Sequence, residues 1–549
     1  MRQFTAIIEA VADHILTANK TQKHSIQTES ERCMQTSVTD ALSRTNFTGW
    51  DWLIVFLYLS ISIIIGMRMR KYIFSMTDYI GAGRAIGTAL GVATMTGTEM
   101  GLVTVMYSAQ KGFTGGFAAF HIALVAGFVT LLVGLSGFIV AKLRELEVLT
   151  IPEFYEKRFG RRTRILGGIM LALGGILNMG LFLKVGSIFI VGVTGMSDQG
   201  WALPTVMIVL LTLVLIYTVM GGMLSVVITD YIQFVVLSFG LLVAVFFVVA
   251  SLGWQSLFTN IAANMGEAGF NPLVETAGFG WEYVVWMMIT AGLVSCAIWP
   301  TAVARALAAE SPQVVKQQYK WSSLSFMIRF MIPNFLGISA FVYIMTAAPD
   351  LRELFFPAEN GATPMNNLYA MPIMLGRVLP AGIIGLISAA MIAAFMSTHD
   401  SYLLTWSSVI TQDIIAPLRG EKLAPTTRIK LTRIIIVVIG LYILYWGLIY
   451  KGRDDIWDYM AVTGAIYFTG ALAVLIGGLY WKKASSTGAF LALLSGMTAI
   501  FGLGPVQQLV GIEGVSGARV GLLSVVLTML VMIVASLVWP DKDKAAINN

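Results

Sequence analysis

The sequence predicts an all-α polytopic membrane protein with thirteen transmembrane helices, of which the second and seventh are discontinuous. Of its 549 residues, 57% are hydrophobic and only 12% are charged, whereas soluble proteins carry about 25% charged residues. The mean hydropathy is +0.79. Two apolar segments are interrupted by polar or helix-breaking residues, and these interruptions lie five spans apart. An odd spacing gives the two five-helix units opposite topology, as in a five-plus-five inverted repeat.

Thirteen apolar segments have about the length that an α-helix needs to cross a bilayer, roughly 20 residues. They lie near residues 50–68, 85–110, 114–141, 165–192, 201–220, 223–252, 280–304, 322–346, 376–404, 429–449, 456–480, 486–505 and 520–539. Together they predict one transmembrane domain over 48–541, followed by a short cytoplasmic tail at 542–549. Repeat one covers about 84–252 and repeat two about 280–481.

Basic residues are concentrated in alternate loops. They are frequent between Lys142 and Arg164 and between Arg419 and Arg433, whereas the long 253–279 loop has none. Because cytoplasmic loops are enriched in Lys and Arg, we expect the N-terminus outside and the C-terminus in the cytoplasm. The predicted location is the plasma membrane, or the inner membrane if the source is bacterial.

Residues 1–47 are polar and unlike the rest of the chain. They contain no long apolar core of the kind that a signal peptide needs. One interpretation is a disordered or amphipathic tail, and the other is a misassigned start with Met34 as the true first residue. We expect little packing of this segment in either case.

A carboxylate interrupts the second span. Glu99 lies within the segment Thr94–Gly101, where the apolar pattern gives way to small and hydroxylated residues. In hydrocarbon every backbone polar group needs a partner, so such an interruption is expected only beside a protein-enclosed cavity. An ionisable side chain at this depth is costly and indicates a functional site. We therefore expect a broken helix with a solute or ion at the break.

The seventh span is interrupted at Ser295–Pro300. Proline lacks the backbone N–H that a continuous helix needs. The two breaks then occupy equivalent positions in the two repeats, which predicts a binding site near the middle of the membrane.

Five stretches, in order along the chain, resemble the sodium:solute symporter family. They are Asp78–Arg84, Leu149–Phe154 with Arg158–Gly160, Gly221–Gln233, Ala304–Ala309 and Ala393–Thr398. The resemblance covers about 70–540 and implies the LeuT-type five-plus-five fold. It also implies sodium as the coupling ion.

The resemblance implies a sodium site between the first broken helix and the ninth span. Matched residue by residue, its ligands are the carbonyls of Gly97, Met100 and Ala394 and the hydroxyls of Ser397 and Thr398. Carbonyl and hydroxyl oxygens suit a hard cation and add no charge of their own. The alternative is that both hydroxyls only bond back to a preceding carbonyl of their own helix.

A second sodium site of the family matches this chain only in part. Asp230 matches its aspartate, but Ala394 stands where the family has a hydroxyl. Asp400, three residues after Ser397, lies on roughly the same helix face. Asp230 and Asp400 are therefore candidates for an alternative cation or proton site, or for an internal gate salt bridge.

Glu99 has three candidate roles: to tune the sodium ion, to bind a cationic group of the substrate, or to pair with a cation in the membrane. Lys184 and Arg329 are the candidate cations, unless their long side chains extend to the membrane surfaces. By its spacing to Pro333, Arg329 matches a sugar-contacting lysine of the family. Arg also binds carboxylates in a bidentate manner. The candidate substrate-binding residues are Thr98, Glu99, Lys184, Ser295, Cys296, Trp299 and Arg329.

The predicted function is sodium-coupled symport of a small organic solute into the cell, with a carboxylate or amino acid as substrate. The alternatives are a sugar or vitamin, or a substrate-sensing module that acts with a separate partner protein. No P-loop, GxSxG or HExxH motif occurs, so we expect neither an enzyme nor ATP-driven transport. We expect no cofactor and no nucleic-acid partner. The predicted partners are sodium, the substrate and the lipid bilayer, and the sequence does not determine an oligomeric state.

Overall fold

The regular structure of the chain is helical. A computed structural model describes residues 38–69, 84–274, 278–357, 363–420, 423–450, 455–512 and 514–541. Within these ranges the β-type pairing is limited to an isolated parallel bridge between Ile86 and Ala309. The prediction of an all-α protein is therefore confirmed.

Ten α-helices of the first half of the chain lie entirely within the described residues, and residues 38–43 are helical as well. The ten helices are α1 (Gly49–Met69), α2 (Thr88–Glu99), α3 (Leu102–Gly115), α4 (Phe120–Ser136), α5 (Val140–Glu145), α6 (Ile151–Phe159), α7 (Arg161–Met179), α8 (Phe182–Val193), α9 (Ala202–Leu252) and α10 (Trp254–Met265).

The second half continues with α-helices and two π-helical segments, Met288–Val294 and Ile410–Ile415. Its α-helices are α11 (Trp281–Met287), α12 (Ser295–Ala297), α13 (Pro300–Leu307), α14 (Pro312–Thr346), α15 (Pro349–Phe355), α16 (Ala370–Val378), α17 (Ile383–Val409), α18 (Ala416–Leu418), α19 (Pro425–Ile449), α20 (Ile456–Tyr480), α21 (Ser486–Ser495), α22 (Gly504–Val510) and α23 (Gly517–Val538).

Nine helical segments of the described residues are long and apolar enough to cross a membrane, or ten if one bent pair counts as a span. That pair is Ser486–Gly502 with Gly504–Val510. Two shorter apolar helices, Gly49–Ile61 and Ala202–Ile216, coincide with the predicted first and fifth spans. The exact number of thirteen spans therefore stays a prediction.

Helix α9 contains both the fifth and the sixth predicted spans. Its 51 residues form one continuous helix, which at 1.5 Å per residue is about 76 Å long. This exceeds twice the roughly 30 Å of a bilayer's hydrocarbon core. The side chains of residues 217, 220–230 and 232 lie outside the description, as does most of the Asp78–Arg84 stretch.

The predicted first break is present between α2 and α3. Helix α2 ends at Glu99, and Met100 (ψ 53°) and Gly101 (ψ 164°) leave the helical conformation. A Cβ atom at Gly101 would lie 1.8 Å from Thr398 Oγ1. Glycine is thus required here because the break approaches α17 so closely.

The predicted second break lies at Ile298–Trp299. Trp299 has an extended backbone (ψ 127°) and Pro300 begins α13, as expected because the residue before a proline disfavours the helical conformation. The π-helical segment Met288–Val294, which precedes this break, was not predicted from the sequence.

The two breaks are held together by long helices from both repeats. Helix α14 packs along α3 and α4, and α17 packs along α9. Helix α2 contacts α13, α14 and α17. The polar backbone of both breaks therefore lies inside the protein, where neighbouring helices can satisfy it.

We expected little packing of residues 1–47, but part of the segment just before α1 contacts the rest of the protein. Ala41 is 3% exposed, and Thr45 Oγ1 donates to the Val193 carbonyl at 2.7 Å. The Asn46 side-chain Nδ2 donates to the Arg377 carbonyl at 2.8 Å. Short polar side chains here bond to backbone carbonyls of the transmembrane domain. Residues 1–37, with Met34, lie outside the described residues.

Candidate functional site

Glu99, the last residue of α2, forms an ion pair with Arg329 of α14. Arg329 Nη1 lies 2.6 Å from Glu99 Oε2, and the two side chains are 3% and 10% exposed. The same nitrogen lies 3.3 Å from the Glu99 carbonyl oxygen. A buried charge needs a counter-charge, and each residue supplies it to the other. Arg329 therefore turns inward and does not extend to the membrane surface.

The Arg329 guanidinium is fixed by further contacts. Its Nη2 donates to Ser295 Oγ at 2.5 Å. Its Cζ lies 4.1 Å and 4.5 Å from the ring centroids of Phe326 and Phe330, within the range of cation–π attraction. Since Ser295 precedes the second break, Arg329 connects the residues of both breaks.

Helix α13 is tied to the first break from the other side. Thr301 Oγ1 donates to Glu99 Oε1 at 3.0 Å. Arg305, which is fully buried, donates through Nη2 to Thr98 Oγ1 at 2.6 Å and to Ser401 Oγ at 2.7 Å. These bonds join α2, α13 and α17, so a shift of one of them affects the other two.

Several of the predicted sodium ligands lie next to one another between the first break and α17. Ser397 Oγ lies 3.5 Å from the Gly97 carbonyl oxygen. Thr398 Oγ1 donates to the Ala394 carbonyl at 3.0 Å, and this is the back-bond expected from the alternative interpretation. Both hydroxyls are nevertheless beside the broken helix, and the Met100 carbonyl belongs to that break.

A cavity lies between the two breaks. Both apolar rings and polar side chains line it. The lining residues are Thr98, Glu99, Val103, Thr104, Tyr107, Asn178, Phe182, Thr290, Val294, Ser295, Trp299, Arg329, Thr398, Tyr402, Trp457, Met460, Ala461, Gly464 and Phe468. Five of the seven predicted substrate-binding residues are among them.

Two predicted substrate-binding residues lie elsewhere. Cys296 is fully buried in a separate hydrophobic cluster with Tyr319 and Phe326, because its side chain points away from the cavity side of the helix. Lys184 lines a different pocket and donates to the Tyr450 carbonyl at 2.7 Å. Glu99 is therefore paired with Arg329 and not with Lys184.

The second cation site stays a prediction. Asp400 is fully buried and accepts a bond from Ser401 Oγ at 3.2 Å. Ser401 also accepts from Arg305, so Asp400 lies beside the Arg305 contacts. The Asp230 side chain lies outside the described residues. The choice between a cation site and a gate salt bridge thus remains a prediction.

Sequence reasoning missed several residues of this site. Thr301 follows the second break by two residues and Arg305 lies about one helical turn later, a signal that was available. Asn178 and Trp457 line the cavity from α7 and α20, and ordinary apolar context hides them. Tyr402, which accepts a bond from Trp299 Nε1 at 2.9 Å, lies one turn after Thr398.

Comparison with known proteins yields one family and several relatives. The model of the sodium:solute symporter family matches residues 79–496. The sodium/sialic acid symporter SiaT of Proteus mirabilis is 24% identical over 461 residues, which is 82% of this chain and 88% of that protein. A sodium/glucose cotransporter of Vibrio parahaemolyticus is 24% identical over 473 residues, covering 81% and 83%. A sodium/proline symporter of Staphylococcus aureus is 22% identical over 482 residues, covering 84% and 87%.

Solved structures show the same fold. A substrate-bound, outward-open Na⁺-coupled sialic acid symporter superposes with a TM-score of 0.73 at 20% identity, over 90% of this chain and 100% of that one. MhsT in complex with L-phenylalanine gives 0.51 at 13% identity, over 82% and 98%. The architecture of discontinuous helices is thus the LeuT-type fold that was predicted.

Proposed function

The chain belongs to the sodium:solute symporter family, and from that premise we propose that its cargo is a small carboxylate or amino acid carried inward with sodium. Its relatives by name are sodium symporters of sialic acid, glucose and proline. The multi-pass architecture agrees with membrane transport. The cavity of this chain is lined by two oppositely charged side chains, Glu99 and Arg329.

The Glu99–Arg329 ion pair is the observation that supports this cargo. Both side chains line the cavity, and the pair is neutral as a whole. A zwitterion adds no net charge beside this pair, because its carboxylate is attracted to Arg329 and its ammonium to Glu99. A plain carboxylate uses Arg329 alone, in the planar geometry that guanidinium offers. A neutral sugar or vitamin would draw on neither charge, so it remains the weaker candidate.

We assign the coupling sodium ion to the carbonyls of Gly97, Met100 and Ala394 and the hydroxyls of Ser397 and Thr398. The support is geometric: the hydroxyls of α17 already lie beside the carbonyls of the first break. Sodium there draws its ligands from both elements and so stabilises their contact. Because an ion shifts an equilibrium only by its differential affinity, it favours the conformation in which the break and α17 are closest.

One residue, Thr398, belongs to both the cavity and the assigned sodium position. Thr398 lines the cavity and is also an assigned sodium ligand. Thr98, between Gly97 and Glu99, accepts from Arg305 of α13. Sodium binding therefore fixes the backbone next to the ion pair and prepares the cavity for cargo. Cargo that then contacts residues of both breaks stabilises the occluded arrangement, and rocking of the helices exposes it to the other side.

The orientation of the chain is part of the proposal. The distribution of Lys and Arg supports an outside N-terminus and a cytoplasmic C-terminus. Single cysteines introduced at Gly49 and Gly420, in a Cys33→Ser/Cys296→Ala background, should react with a membrane-impermeant maleimide from opposite sides in intact cells and inverted vesicles. Labelling of both from the same side would contradict this orientation.

The experiment for the proposed function is a metabolite uptake screen in proteoliposomes. Purified protein is reconstituted, an inward sodium gradient is applied, and uptake from a metabolite mixture is measured by mass spectrometry. We expect enrichment of small acids or amino acids that disappears when potassium replaces sodium. Enrichment of neutral sugars alone would contradict the assigned cargo, and uptake independent of sodium would contradict the coupling.

A further inference from the structure

Three residues that line the cavity each have one buried polar atom without a hydrogen-bond partner among the described residues. The atoms are Arg329 Nε, Trp457 Nε1 and Asn178 Oδ1. Buried polar atoms are nearly always paired, so each exception has a physical cause to be found. Two of these atoms are donors and one is an acceptor. The unpaired set is therefore itself a pattern that a ligand can complement.

The three atoms follow one side of the cavity. Arg329 and Trp457 both pack against Phe330: Arg329 Cζ is 4.5 Å from its ring centroid, and the Trp457 ring centroid is 5.6 Å from it. Trp457 and Met460 lie about one turn apart on α20, a rise of about 4.5 Å. Asn178 Nδ2 donates to the Met460 carbonyl at 2.7 Å. The residues of the two donors thus contact the same ring, and the residue of the acceptor is bonded to α20 about one helical turn from Trp457.

The orientation of the Asn178 amide is determined by its neighbours. Its Nδ2 donates to the Met460 carbonyl and lies 3.4 Å from Thr463 Oγ1. Thr463 uses its own hydrogen on the Tyr459 carbonyl at 2.8 Å. A flipped amide would place Oδ1 against two acceptors. Oδ1 is therefore the free atom, and it can only accept.

We infer that the cargo is a small acid that also carries an amino or hydroxyl donor, and that Asn178 selects for this donor. The inference rests on the proposed function, because it assumes that this cavity binds the cargo. The carboxylate receives bonds from Arg329 Nε and Trp457 Nε1, and the amino or hydroxyl group donates to Asn178 Oδ1. A plain carboxylate leaves Asn178 Oδ1 unpaired and is disfavoured for that reason.

Matched sets of acids test this inference. Each set has one carbon skeleton with an amino, a hydroxyl or no group at carbon 2: alanine, lactate and propionate; leucine, 2-hydroxy-4-methylpentanoate and 4-methylpentanoate; phenylalanine, phenyllactate and 3-phenylpropionate. The readouts are thermal stabilisation of the full-length protein in sodium and sodium-driven uptake into proteoliposomes. In at least one set, we expect the donor-bearing acids to bind roughly tenfold to hundredfold more tightly than the plain acid.

Variants then assign the selectivity to Asn178. Asn178→Leu should bring donor-bearing and plain acids to within about threefold of each other, because it removes the acceptor that distinguishes them. Asn178→Asp keeps an acceptor, adds a charge, and should favour the amino over the hydroxy acid by about tenfold more than wild type. The matched control is Asn334→Leu, because Asn334 is fully buried with an unpaired Oδ1 but does not line the cavity. It should keep the wild-type selectivity.

The outcomes separate this inference from the proposed function. Equal binding of plain and donor-bearing acids, wild-type selectivity in Asn178→Leu, or no response to any of the nine acids overturns the inference. If Asn178→Leu does not fold, an unchanged amino-to-hydroxy ratio in Asn178→Asp overturns it as well. In all these cases sodium-driven uptake of another small carboxylate from the metabolite mixture leaves the proposed function standing.

Discussion

Replacing Glu99 by glutamine tests the central ion pair. Glutamine keeps the size of the side chain and its ability to accept from Thr301, but it removes the counter-charge of a guanidinium that is 3% exposed. Two unit charges about 4 Å apart interact by about 4 kcal/mol at an effective dielectric constant of about 20. Breaking a buried pair on one side costs about 3–5 kcal/mol in other proteins. We therefore expect Glu99→Gln to lower the free energy of unfolding by about 3–5 kcal/mol.

A double-mutant cycle isolates the pair from other effects of the substitution. Arg329→Gln should also be costly, whereas the double variant buries no unpaired charge and should recover about 3 kcal/mol of the summed loss. The matched control is the pair Arg519–Glu282, at 2.8 Å but with side chains 58% and 36% exposed. Its coupling should not exceed about 1 kcal/mol.

The assay is equilibrium unfolding in detergent micelles, without sodium or cargo, followed by tryptophan fluorescence. A coupling energy for Glu99–Arg329 no larger than that of the exposed pair would refute the reasoning. In uptake assays, Glu99→Gln should lower the transport of amino acids relative to 2-hydroxy acids, because Arg329 is then the only charge of the pair. A loss of sodium affinity alone would instead assign Glu99 to the ion.

Two further predictions concern the sodium position. Ser397→Ala removes an assigned ligand and should raise the sodium concentration for half-maximal uptake at least about tenfold. The control is Ser407→Ala, at a buried serine of the same helix, which should leave this concentration unchanged. A shift in both variants or in neither argues against the assignment. Gly101→Ala places a Cβ 1.8 Å from Thr398 Oγ1 and should abolish sodium-driven uptake. The control is Gly49→Ala, whose Cβ would have nothing within 4 Å and which should leave uptake unchanged. Normal uptake by Gly101→Ala would show that the break need not approach α17.

The fold could be predicted from the sequence because apolar segments, and the polar or helix-breaking residues that interrupt them, are local signals. The breaks at Glu99 and before Pro300 could be read directly, since a polar or helix-breaking residue is costly in an apolar run and is rare there without a cavity or a break. The number of spans was harder to determine. In α9, two apolar stretches continue as one helix, and no local signal reports where a helix leaves the membrane.

The site was predicted less completely because partners are chosen in three dimensions. Lys184 and Arg329 were equal candidates for Glu99 in sequence, and only the helix arrangement shows that Arg329 reaches it. Cys296 follows Ser295 directly, yet adjacent helical residues point in different directions, so one lines the cavity and the other the core. Asn178 carried no signal at all, because an unpaired amide oxygen is a property of its surroundings.

Simultaneous flux of sodium and cargo tests the central claim most directly. Proteoliposomes are given radioactive sodium and the cargo identified by the uptake screen, and the influx of each is timed in wild type and in Ser397→Ala. We predict that cargo accelerates sodium influx, that sodium accelerates cargo influx, and that Ser397→Ala weakens both at low sodium. Cargo influx that proceeds at the same rate without sodium, or sodium influx unaffected by cargo, would contradict coupled transport through this site.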